Sequence, residues 1–162
     1  MSDVNDLPPE LRNHHQFPIA TCAVSAFESV AKLHGLIAPN AFPLQSDPAN
    51  QSKGFDDTSF LESLGLLCEA HHYDTQSAMA LIEKETNEGR FPLIALREWQ
   101  ADGTILGYHI FLCALYNSKL VLINPREPRL EAEKKEDLEK ALEYNSKNNP
   151  ERDTLHVLHY HL

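Results

Sequence analysis

"YHIFLCALYNSKLVLIN", residues 108–124, is the stretch on which the fold turns. It holds two apolar runs, YHIFLCALY (108–116) and KLVLIN (119–124), with Asn117-Ser118 between them. Two strand-like runs joined by a two-residue turn predict a β-hairpin. In an antiparallel pair the start of the first strand lies beside the end of the second. The hairpin therefore brings His109 and Asn124 to one end of a sheet.

Working outward, FPLIALREW (91–99) carries a continuous apolar run and predicts a central strand. A turn at Asp102-Gly103 leads from it to the hairpin. LLCEAHHY (66–73) and the tail LHVLHYHL (155–162) read as two further strands. Between Cys22 and His34 the apolar positions Ala23, Val24, Phe27, Val30, Ala31 and Leu33 recur at intervals of three and four, the mark of a helix with a broad buried face. Gly35 stops it. Asp57 or Thr58 caps a short helix through Leu64, and Ser77–Asn87 is an amphipathic helix that stops at Gly89. The charged segment Glu133–Tyr144 reads as a solvated helix laced by i,i+4 pairs. Residues 36–56, with Pro39, Pro43, Pro48 and Gly54, predict a long irregular loop, while Pro125 and Pro128 break the chain after the hairpin. A helix first, then strands with helices between them, predicts an α+β fold with a largely antiparallel sheet. The 162 residues suit one domain, preceded by a polar extension over residues 1–13 with a helical turn at Pro8-Pro9.

Composition narrows the partners. Fourteen Lys and Arg against 24 Asp and Glu leave a net charge of −10. Such a surface repels phosphate backbones and anionic lipid, so neither nucleic acid nor a membrane surface is expected as a partner. No apolar run is long enough to insert into a bilayer. The N-terminal MSDVNDLPPELRNHH has neither a basic n-region nor an apolar h-region, which predicts a cytoplasmic protein or one exported by a leaderless route. The three cysteines, Cys22, Cys68 and Cys113, are odd in number and widely spaced, so they fit free thiols rather than a disulfide framework.

Cys22 stands at the start of its helix, where unpaired N–H groups and the helix dipole favour a thiolate. A cysteine nucleophile also needs an imidazole as base and acid, and a third group to orient it. His109 and Asn124 meet those two needs. Gln16 offers a side-chain amide donor which, with the Cys22 backbone N–H, makes a two-donor oxyanion hole.

Gln16-x5-Cys22 at a helix start, His109 on one strand and Asn124-Pro125 at the end of the next resemble the papain-like cysteine peptidases. The C39-like branch is the nearer match, through TCAVSAFESVAKLHG (21–35), DDTSFLESLGL (56–66), FPLIAL (91–96), GYHIFLCAL (107–115) and KLVLINP (119–125). The resemblance runs from about residue 16 to 126. It implies a papain-like fold, with the nucleophile's helix packed on a mostly antiparallel sheet. It implies a Cys-His-Asn triad acting on the amide bond of a peptide or protein substrate, with no cofactor. The family pattern has Asp-Cys-Gly around the nucleophile and Asp-Pro after the last strand; here they are Thr21-Cys22-Ala23 and Asn124-Pro125. Asn is the papain-type orienting residue. The same triad also serves glutamine deamidases and transglutaminases among papain-like effectors, and degenerate C39-like domains serve as non-catalytic docking modules.

The remaining candidates read as structural. Cys68 and Cys113 are expected in the core. So is Trp99. The histidine clusters His14-His15, His71-His72 and His156-x2-His159-x-His161 predict no metal site. Adjacent strand residues face opposite ways, and only His159 and His161 share a face.

Overall fold

Two glycines settle where the long helices end. A computed structural model of the chain describes residues 22–50, 54, 57–99, 105–116, 118–124, 129–132, 136, 139–140 and 155–161. Helix α1 spans Cys22–Leu33, the five-residue α2 spans Ser59–Ser63, and α3 spans Thr75–Asn87. Gly35 follows α1 at φ +69° and Gly89 follows α3 at φ +83°. After α1 the Leu36 N–H reaches the Ala31 carbonyl (2.9 Å) and the Gly35 N–H reaches that of Lys32 (3.0 Å). Arg90 to Glu85 (2.9 Å) and Gly89 to Thr86 (3.1 Å) repeat the pattern after α3. This double closure uses carbonyls the helix leaves orphaned, and it needs a left-handed residue. At its other end α3 is capped by Asp74, whose carboxylate accepts from the Ser77 N–H at 2.8 Å. The helix thus starts two residues before the periodicity in the sequence shows it.

Six strands form one sheet: β1 Leu67–Tyr73, β2 Leu93–Trp99, β3 Ile105–Tyr116, β4 Lys119–Asn124, β5 Arg129–Ala132 and β6 Leu155–His161. Their order is β1-β6-β2-β3-β4-β5, and every pairing is antiparallel. The α+β reading and the antiparallel sheet are thus observed. The hairpin is there too, with Ser118 in its turn at φ +62°. β2 is central, between β6 and β3. β3 begins at Ile105, three residues earlier than the sequence suggests, so His109 lies inside the strand and pairs with Leu96. β5 is an addition that the prolines hid. The extension over 1–13, the turn at 102–103 and nearly all of the 133–144 segment lie outside the described residues.

Strand alternation divides the core in two. Leu93 and Ala95, Ile110, Leu112 and Ala114, Val121 and Ile123, Leu158 and Tyr160 gather with Phe27 and Val30 of α1 and Leu61 of α2. Ile94, Cys113, Leu120, Leu122 and Val157 gather instead with Ala78, Met79 and Ile82 of α3. The sheet is therefore the middle layer, with α1 and α2 on one face and α3 on the other. Burying a side chain such as Phe27 or Ile82 contributes about 2 kcal/mol.

Candidate active site

α1 is buried on nearly its whole circumference. Ser25, Glu28, Ser29 and Lys32 are as buried as its apolar residues. The loop after the helix explains this, because it folds back over the side that the sheet does not cover. The Leu44 N–H donates to Glu28 Oε2 at 2.8 Å, and the Lys32 ammonium sits 3.7 Å from the centre of the Phe42 ring. Asn50, in a 3-10 turn at Pro48–Asn50, holds the loop by donating to the Leu44 carbonyl at 3.1 Å. Burial pushes the Glu28 carboxyl above its ordinary range, and the Leu44 N–H opposes that shift. Burial likewise pulls the Lys32 ammonium down. The loop of residues 36–50 thereby becomes the seat of the helix that Cys22 opens.

The other end of α1 is anchored at a corner of the sheet. His34, just past its last turn, stacks edge-on against Phe91 and Tyr160, with ring centres 5.4 and 5.2 Å away. The Tyr160 hydroxyl accepts from the Phe91 N–H at 2.9 Å and bonds His34 Nε2. That corner holds the start of β2 and the end of β6. From it α1 runs over β3. Helical rise places the Cys22 backbone roughly 17 Å from the His34 end.

Cys22 is the first residue of α1, so its backbone N–H belongs to the turn without intrahelical partners. His109 lies inside β3, four residues from its start and paired with Leu96, and Asn124 is the last residue of β4. The β3–β4 ladder runs from Tyr116↔Lys119 to Leu112↔Ile123. Position 109 thus lies three residues beyond the last pair, about 10 Å along the strand. Extending the register sets Asn124 opposite Phe111, diagonal to His109 and on the same sheet face. That register face is the one shared by Phe111 and Cys113, which pack with α3; Ile110 and Leu112 are on the α1 face. Gln16 lies outside the described residues.

The two other thiols sit in the core and at its edge. Cys113 is fully buried, and desolvation drives its thiol far above the ordinary range. Cys68 is half-buried, and burial with nearby Glu62 pushes its thiol up to about 11. Neither is a thiolate near neutral pH. The structure surrounds His159, expected from the sequence to be structural, with two carboxylates: Glu69, His159 and Glu85 meet between β1, β6 and α3. The cluster's signal in the sequence was the shared face of His159 and His161; the carboxylates come from elements far away in the chain. The chain matches no protein-family model, no curated protein and no solved structure.

Proposed function

We propose that this chain is a cysteine-nucleophile hydrolase with a papain-like, C39-like fold, acting on amide bonds of a peptide or protein. One observation carries the reading: Cys22 opens a buried helix that packs on β3, and the register of the β3–β4 hairpin sets Asn124 one diagonal step from His109 on that same strand pair. The Cys22 thiolate attacks the carbonyl carbon, and the oxyanion is held by the Cys22 N–H and the Gln16 amide. His109, as imidazolium, protonates the leaving amine, which departs and leaves a thioester on Cys22. His109 then takes a proton from water, whose attack releases the acid and restores the thiolate. Asn124 orients the imidazole. Transfer of a glutamine side-chain acyl group to water or an amine follows the same steps, giving deamidation or transglutamination.

A non-catalytic docking module is the second reading, favoured by the regular alternation through Ile110, Phe111 and Leu112. It assigns position 109 to the face away from α1. The alkylation rate of Cys22 against pH separates the two readings. In the hydrolase the rate midpoint falls well below the ordinary thiol value of about 8.5, and His109→Ala moves it back toward that value. An ordinary midpoint that ignores His109→Ala overturns the hydrolase and leaves the docking module. Once a substrate protein is found, mass spectrometry separates backbone cleavage from a gain of about one dalton on a glutamine.

A further inference from the structure

Glu69 and His159 face each other directly across the β1–β6 ladder, with His161 two residues further along β6. Residues at i and i+2 share a strand face, and a directly opposed pair shares it too. All three side chains therefore belong to the α3 side of the sheet, near its β1 edge. Their potential donor atoms all lie within 4.8 Å of one another. His159 Nε2 is 3.5 Å from Glu69 Oε2. Donors about 2.1 Å from a tetrahedral zinc stand about 3.4 Å apart, so this pair already has the spacing a bound ion requires. Glu69 and His161 are exposed, and the imidazole rings of His159 and His161 meet edge-on with centres 5.9 Å apart.

What lies behind the cluster gives it direction. His159 is buried, and its other nitrogen, Nδ1, is 3.7 Å from Glu85 Oε1. Glu85 is 1% exposed, and its second oxygen is held by Arg90. A buried carboxylate, anchored by Arg90, thus stands behind Nδ1, close enough for a small ring rotation to bring the two into a hydrogen bond that leaves Nε2 turned to Glu69. That is the support a metal-bound histidine receives from its surroundings.

We propose that Glu69, His159 and His161 bind a divalent cation of the zinc class, with Glu85 and Arg90 orienting His159. Two imidazoles and one carboxylate suit zinc and disfavour magnesium or calcium, which take oxygen donors. The net charge of −10 raises the local concentration of cations. Exposure of Glu69 and His161 leaves the remaining coordination positions to water. The site is on the sheet face away from α1, so it stands whether or not Cys22 is a nucleophile.

Zinc chloride titrated calorimetrically into the full chain tests the proposal, with cobalt as a spectroscopic substitute. One equivalent binds saturably, and the cobalt form shows tetrahedral bands without thiolate charge transfer. His161→Ala and Glu69→Gln are exposed changes, and each weakens binding about tenfold or more. Their melting curves without metal match that of the unsubstituted chain, so the loss is not a loss of folding. Absence of a saturable equivalent overturns the proposal, and His159 is then an imidazole bridging two carboxylates. Binding that survives both substitutions overturns it as well, as does a thiolate signature that disappears in Cys22→Ser.

Discussion

At the scale of single residues, Tyr160 ties the molecule together. Its hydroxyl receives the Phe91 N–H and is hydrogen-bonded to His34 Nε2. Tyr160→Phe leaves the Phe91 N–H and the His34 nitrogen without this partner, and lowers the unfolding free energy by about 2 kcal/mol in urea titrations. Burial, helped by Arg90, holds His34 below its ordinary value of 6.5. The unfolded chain therefore takes up this proton first. Stability from His34 is full above about pH 6.5 and falls as pH drops from there through the lowered value. His34→Gln flattens that part of the stability–pH curve. The thiols behave in the opposite sense: Cys113 resists alkylation in the native state and reacts on unfolding, because its burial excludes both reagent and thiolate. Cysteine as a residue type showed none of this, since burial alone separates the fully buried Cys113 from the half-buried Cys68.

At the scale of elements, the helix ends were legible and the strand ends less so. Gly35 and Gly89 were readable as stops because a left-handed turn selects glycine from the local sequence alone. Gly89→Ala forces a Cβ into that conformation and costs about 1 kcal/mol, read as a lower urea midpoint. Asp74→Ala removes the α3 cap and lowers the melting temperature. Hydrogen bonds from Ser77 hold the Asp74 carboxyl below its ordinary value. The contribution of the cap is thus present above the ordinary carboxyl range and lost as pH falls through the lowered value. β5 is not legible in the sequence, because four residues behind two prolines carry too little alternation. β3 was read short because Gly107 interrupts its apolar run, at the place where the β2–β3 register shifts.

At the scale of the whole molecule, β6 decides the architecture. It enters between β1 and β2, joining two parts of the sheet that no other strand connects. Ending the chain at Thr154 strips the ladder partners from one side of β2 and from β1, and removes Val157, Leu158 and Tyr160 from both cores. The truncated chain loses cooperative thermal unfolding by circular dichroism, whereas a chain lacking only Leu162 keeps it. The same insertion builds the proposed cation site, because it sets His159 opposite Glu69, 90 positions earlier in the sequence. It also sets Tyr160 under α1.

The sequence by itself determined the class of fold: where most helices and strands lie, and the hairpin between β3 and β4. Each is written in a local period or a short turn, which the chain displays whatever surrounds it. Only the tertiary structure decided the strand order, the two-sided core, the burial of α1 beneath residues 36–50, and the carboxylates around His159. Those depend on pairings between distant segments. Such pairings are selected by the total apolar surface they bury and the polar groups they satisfy, quantities that no single window of sequence contains.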